Sequence, residues 1–227
     1  MDFPFGRTVA IAHRGAHDEA HPENSPAAFQ RALDLGFDGV ELDACNLADG
    51  SFVIRHDGWI DAGEERVPIP TLTSEDPRAV AASLQPLEPV LEILAGASVI
   101  VVFDWKGLGA EDGAAALLAR HGLSRRTIVS TSVVDALAHF RQADPALTTG
   151  LTVPRLSRRL PPAPVVPALA RRNGCQAVML EKEFVSAGMC AAIREGGLGL
   201  FLWTAQSKTE LAELGRYQPD GIMTDAA

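Results

Sequence analysis

The stretch SVIVVF at 98–103 runs on through DWKG at 104–107 and EDGAAALLARHG at 111–122 to TIVS at 127–130, and its reading decides the fold. The first run is continuously apolar and β-branched rather than alternating, as expected of a strand covered on both faces. Residues 112–121 carry apolar side chains at helical spacing and stop at Gly122, and 127–130 returns to β-branched residues. Strand, helix and strand in this order form a βαβ unit, which implies a parallel pair. The same alternation extends in both directions. Strands are expected at 8–12, 39–44, 148–152, 177–180, 199–203 and 221–223, and helices at 25–35, 87–94, 133–141, 165–172, 184–194 and 207–214. Eight strands alternating with seven helices predict an α/β chain closed into a (β/α)8 barrel, with an open doubly wound sheet as the alternative. The run 51–55 follows the turn signal Asp49-Gly50 and is expected to form a short hairpin with the second strand. No helix is expected after 221–223. That leaves a gap in the outer ring for an N-terminal segment or a partner chain to cover. The most loop-like segment, 154–167, is rich in Pro and Arg. Residues 1–227 read as one domain.

Composition bounds the function. The chain is 47% hydrophobic and 22% charged, with a formal net charge of −9, which suits a globular protein and argues against nucleic-acid binding. It leaves room for an anionic substrate, because a metal and one or two cations reverse the local potential of a cleft. Cys45, Cys175 and Cys190 are odd in number and far apart, so neither a disulfide framework nor a thiolate zinc site is indicated. No secretion signal and no apolar run long enough for stable membrane insertion is read, so a cytoplasmic location is expected. The sequence is compatible with an oligomer.

In a barrel, strand C-termini converge on one face. Polar residues occur at these ends: His13-Arg14-Gly15, Glu41 and Asp43, His56-Asp57, Asp104 and Lys106, and Thr224-Asp225. Glu41 and Asp43 are two apart on a strand and point to one side. Like charges there are costly unless neutralised, and with Asp104 as a third ligand they suit one hard divalent cation, Mg²⁺ or Ca²⁺. The plainer reading is that the acids pair with Arg14 and Lys106. His13 and His56 flank the presumed metal. Imidazole both accepts and donates protons near neutral pH, which phosphodiester cleavage requires. Arg14 and Lys106 supply positive charge for a phosphate, and Gly15 permits a turn.

Ala12-His13-Arg14-Gly15, Pro22-Glu23-Asn24-Ser25, Glu41-Leu42-Asp43 and His56-Asp57, in this order and spacing, resemble the signature of the glycerophosphodiester phosphodiesterase family. Trp203-Thr204 and Gly221-Ile222-Met223-Thr224-Asp225 resemble its last two strand ends. Each motif alone is weak. The resemblance implies a (β/α)8 barrel of the phospholipase-C-like phosphodiesterase type, with His13 and His56 as the acid–base pair and Glu41 and Asp43 as metal ligands. It also implies Arg14 as a phosphate contact, Trp203 as a wall of the pocket, and a small-molecule glycerophosphodiester cleaved to an alcohol and glycerol phosphate, with a cyclic intermediate as one route.

Two departures bear on the substrate. Asp104-Trp105-Lys106 stands where the family has Glu-x-Lys, and Val101–Gly107 resembles a segment of the sphingomyelinase D toxins. Trp203-Thr204-Ala205-Gln206 stands where the family often has Trp-Thr-Val-Asn. Cleavage of a lipid phosphodiester, or a non-catalytic barrel that binds phosphate headgroups, are the alternatives. His17 and His21 are four apart, as in zinc-binding helices, but lie between Gly15 and Pro22 in an expected loop. Arg155, Arg158 and Arg159 are a candidate clamp for an anionic headgroup, or a solvated loop.

Overall fold

The chain was analysed as a computed structural model, which describes residues 1, 3, 5–153 and 162–227. The barrel strands are β1 (Val9–His13) and β2 (Gly39–Asn46), then, after four short strands described below, β7 (Ile100–Trp105), β8 (Thr127–Thr131), β9 (Thr148–Thr152), β10 (Ala177–Glu181), β11 (Gly199–Ala205) and β12 (Gly221–Thr224). All eight are parallel, each beside the next in this order, and β1 pairs with both β2 and β12. The sheet is therefore closed, and the open-sheet alternative falls.

The two-residue side-chain period divides each strand between two layers. Outward residues such as Val40, Leu42, Val101, Phe103, Val129, Leu200 and Leu202 are buried against the helices. At about 1.5–3 kcal/mol per fully buried large side chain, this layer supplies most of the driving force for folding. Inward residues Val9, Ile11, Val102, Ile128, Ala177, Met179, Phe201 and Met223 form a second, smaller cluster inside the barrel, and Met1, Phe3 and Phe5 pack against it. Phe3 meets Phe201 edge-on at 5.6 Å.

The helices are α1 (Pro26–Asp34), α2 (Pro77–Ala81), α3 (Glu88–Ala95), α4 (Glu111–Arg120), α5 (Val134–Ala143), α6 (Val165–Arg172), α7 (Ala187–Glu195) and α8 (Lys208–Gly215). Ser25 caps α1 by accepting from the Ala28 N–H, with Pro26 in the first turn. Such a start satisfies one otherwise orphaned donor and presets the helical φ.

The largest departure from the sequence reading lies between β2 and β7. The expected hairpin partner is present as β3 (Phe52–Ile54), antiparallel to β2. Beyond it lie a second hairpin, β4 (Trp59–Ala62) with β5 (Glu65–Pro68), then α2 and the two-residue β6 (Gln85–Pro86). These add an eighth helix to the seven expected. Their own small core includes Cys45, Leu47, Val53, Ile60, Ile69 and Leu72. The local signals were present: Asp76 caps α2, and Pro77 stands in its first turn. Four- and five-residue elements are too short to show a period.

The described residues that follow β12, Asp225–Ala227, are not helical. Its outward residue Ile222 is nevertheless buried in the outer layer. Met1, Phe3 and Phe5 pack against the interior cluster of the barrel rather than over this flank. No described helix is long and apolar enough to cross a membrane.

Candidate active site

Alternation along the strands explains the site. Each interior residue of the core cluster is followed two positions later by another interior residue, nearer the C-terminal rim. On β1 that succession runs from Ile11 to His13, on β7 from Val102 to Asp104, on β8 from Ile128 to Ser130, on β11 from Phe201 to Trp203. Register places His13 beside Glu41 and Asp43 beside Asp104. The result is a cavity of about 110 Å³ lined by His13, Arg14, Glu41, Asp43, His56, Asp104, Lys106 and Trp203, together with Ser130, Thr152, Met179 and Met223. All eight residues singled out from the sequence thus line one cavity.

Glu41, Asp43 and Asp104 offer oxygens that all lie within 4.8 Å of one another, the single such cluster among the described residues. Lys106 Nζ donates to Asp104 Oδ2 at 2.5 Å and lies 3.3 Å from Asp43 Oδ1. Ser130 donates to Asp104 Oδ1 at 3.0 Å. Arg14 Nε is 3.3 Å from Asp43 Oδ2, while Arg14 NH1 donates to both oxygens of Glu23 at 3.0 Å. The ion pairing considered from sequence is therefore present, but it is incomplete. Three acids, Glu41 and Asp43 buried and Asp104 partly so, face two cations, and one of these is shared with Glu23. Glu41 receives the Arg14 backbone N–H at 3.0 Å and no cation side chain.

The electrostatics follow from that shortfall. Burial, then the charges of Asp43 and Asp104, push Glu41 well above the usual carboxylate range. Burial opposes ionisation of Asp43 too, but Lys106 and Arg14 outweigh it and hold Asp43 low. Asp104 is pushed up by burial and by Asp43, against the pull of Lys106. Lys106 is itself raised, since Asp104 and Asp43 outweigh its burial. A divalent cation would supply the missing positive charge, and the donor set is all oxygen, which fits Mg²⁺ or Ca²⁺. Cys45 offers no softer alternative, because burial pushes its thiol up to about 12. The shorter side chain of Asp104 does not keep it out of the cluster.

The turn after β1 holds these groups. Arg14, Gly15 and Asn24 all have positive φ. A Cβ at Gly15 would come within 2.7 Å of the Ala28 carbonyl carbon, so glycine is required there on both counts. Asn24, buried, donates to Asp43 Oδ2 at 2.9 Å and accepts from the Asp43 N–H at 3.3 Å. Asn24, Ser130 and Asp225 were given no role from sequence, and His17 was weighed only as a zinc ligand. Asp225 was placed at a strand end only, and the signal that could have found Ser130 is the step of two from Ile128. Asn24 and His17 lie on a loop, where no period operates.

The histidines are held differently. His13 Nδ1 is 2.8 Å from Asp225 Oδ1, and its Nε2 is 3.9 Å from Glu41 Oε2. His56 is more exposed and bonds through Nδ1 to Asp57 at 3.0 Å. It also lines a second cavity of about 310 Å³ with Glu23, Arg55, Asp57, Ser83 and Gln85. The buried N–H groups at Trp203 Nε1 and Arg14 Nε have no hydrogen-bond partner among the described residues. Both residues line the central cavity, where an anion's oxygens would satisfy them. His21 bonds to Asp18 at 2.7 Å while His17 turns to Asp225, so the two do not form a zinc pair. Arg155, Arg158 and Arg159 lie outside the described residues.

The chain matches the glycerophosphoryl diester phosphodiesterase family over residues 13–93 and 99–227. It is 27% identical to a glycerophosphodiester phosphodiesterase of Caldanaerobacter subterraneus subsp. tengcongensis, covering 96% of this chain and 94% of that one. Among solved structures it resembles a glycerophosphodiester phosphodiesterase of Parabacteroides distasonis, with a TM-score of 0.79 at 21% identity over 96% and 93% of the two chains. It also resembles an Oleispira antarctica phosphodiesterase in complex with the product sn-glycerol-3-phosphate, with a TM-score of 0.76 at 19% identity over 97% and 94%.

Proposed function

The chain belongs to the glycerophosphoryl diester phosphodiesterase family, and on that footing we propose that it hydrolyses small glycerophosphodiesters to glycerol phosphate and an alcohol, with one divalent cation and two histidines. The observation that carries this reading is the convergence of two imidazoles, three carboxylates and two cationic side chains on one cavity. A non-catalytic headgroup binder has no need of the acids and imidazoles together.

Glu41, Asp43 and Asp104 are the residues that would hold Mg²⁺ or Ca²⁺. A cation held there would offset their excess negative charge and supply Lewis-acid polarisation of a phosphoryl oxygen. Arg14, Lys106 and the Trp203 N–H donate to the phosphate. His13 takes a proton from the attacking water as the new P–O bond forms, and His56 gives a proton to the departing alkoxide as the old one breaks. Each imidazole ends in the other's starting state, and proton exchange resets the pair. His56 stands at the junction of the two cavities, which suits a leaving alcohol seated in the outer one. That compartment is polar, which favours a small hydrophilic alcohol over the acyl-bearing alternative. The three cysteines are buried and unpaired, in keeping with a reducing compartment such as the cytoplasm.

The test is hydrolysis of sn-glycerol-3-phosphocholine, lysophosphatidylcholine and sphingomyelin, with Mg²⁺, with Ca²⁺ and with excess chelator. Glycerol phosphate is expected from the small diester only when metal is present. Preference for either lipid would replace this reading with the lipid one. His13→Ala and His56→Ala are each expected to lose at least about 100-fold in rate. Activity within a few-fold of the parent would remove either histidine from its role.

A further inference from the structure

Asp225 lies one residue beyond β12, outside both the acidic cluster and the lining of the central cavity. Its position is fixed by the backbone: its N–H donates to the Ala205 carbonyl at 2.9 Å, and the Thr224 hydroxyl donates to the same oxygen at 2.9 Å. One carboxylate oxygen, Oδ1, meets two imidazoles, His13 Nδ1 at 2.8 Å and His17 Nε2 at 3.3 Å. Burial opposes ionisation of Asp225, but the two histidines outweigh it and keep the carboxyl below its ordinary range.

An ionised carboxylate only accepts hydrogen bonds. At 2.8 Å, His13 Nδ1 must therefore be the donor, and the neutral ring carries its proton there. The lone pair is then left on Nε2, the nitrogen nearer Glu41. Without Asp225 nothing among the described residues selects that tautomer. The Asp225 side chain is about one-quarter exposed, so a single partner would leave it free to turn toward water. His17, from the loop after β1, is the second donor on the same oxygen and restrains that turn.

We propose that Asp225 is the positioning residue for His13, fixing the tautomer whose Nε2 accepts a proton, and that His17 holds Asp225 in place. The proposal rests on the reading of His13 as a proton acceptor in the reaction.

The experiment combines long-range ¹H–¹⁵N spectra of the histidine side chains with steady-state kinetics on sn-glycerol-3-phosphocholine, for the parent, Asp225→Asn, His17→Ala and His17→Gln. In the parent, neutral His13 is expected to carry its proton on Nδ1. In Asp225→Asn the proton moves to Nε2, and kcat falls about 10²–10⁴-fold, the range that general acid–base catalysis contributes, while KM changes less than about threefold. His17→Ala lowers kcat about two- to tenfold, the scale of one hydrogen bond, and His17→Gln, which retains a donor, restores most of it. An unchanged tautomer in Asp225→Asn, or a loss expressed in KM rather than kcat, would overturn the proposal. Should that variant fail to fold, the parent spectrum decides, since a proton on Nε2 of His13 contradicts it directly. If the parent does not cleave the diester, the proposed function fails, while the spectra still decide the tautomer.

Discussion

At the scale of single residues, the site is defined by a charge that nothing in the protein balances. Glu41 is buried and pushed well above the ordinary glutamate range. A raised folded pKa means the folded state holds the proton more firmly than the unfolded chain does. The associated stability is therefore complete below the ordinary glutamate value and is lost as pH rises through the raised one. The expected outcome is that Glu41→Gln, measured in chelator, is more stable than the parent by a margin that grows between about pH 5 and pH 8. Mg²⁺ or Ca²⁺ should raise the melting temperature of the parent more at the upper pH. Thermal unfolding across that range checks both, and a pH-independent difference would contradict the assignment. The groups that carry charge were legible in the sequence because chemistry restricts them to few residue types at strand ends. Their supports were less so. Asn24 and Ser130 are ordinary polar residues whose roles depend on Asp43 and Asp104 being near in space, and no linear spacing states that.

At the scale of elements, the two ends of the barrel are built for different tasks. The C-terminal rim carries the reactive groups, and the base is closed by Met1, Phe3 and Phe5. Asp220, just before β12, ties this closure together: it accepts from the Leu200 N–H at 2.8 Å and from the Phe5 N–H at 3.0 Å. Its backbone carbonyl also accepts from Val9 N–H at 2.9 Å. Asp220→Ala removes the side-chain acceptor and leaves a buried N–H of β11 unpaired. This is expected to cost about 1–3 kcal/mol of stability. The rim is distant along every strand, so the rate per folded molecule should be retained. Denaturant unfolding together with active-site-normalised rates would test this, and a loss of rate without loss of stability would contradict it. The fold itself was legible at this scale because the buried strands are continuous β-branched runs with helices between them. The elements from 59 to 86 escaped because they are short, partly exposed and Pro-interrupted, so that cap residues were the only signal they carried.

At the scale of the whole molecule, the net charge of −9 and the chemistry of the site pull in opposite directions. A phosphodiester is an anion, and most of the surface repels it. Without metal, the three acids when ionised outnumber Arg14 and Lys106, and that excess of negative charge is what keeps a proton on Glu41. A divalent cation would reverse that sign, so the attraction would be short-ranged and confined to a partly enclosed site, whereas the repulsion is spread over the exterior. Salt screens charges in water over about 10 Å at 0.1 M and screens enclosed pairs much less. Raising ionic strength should therefore weaken the repulsion more than the attraction. The metal-loaded enzyme is expected to show kcat/KM that stays level or rises by up to about twofold between roughly 20 and 200 mM salt. An enzyme that draws its anionic substrate through a broadly positive surface would show the reverse, a steep fall. Initial rates at sub-saturating substrate with a non-coordinating salt provide the measurement. A steep fall here would mean that an exterior basic surface, rather than the metal-centred cavity, governs the encounter.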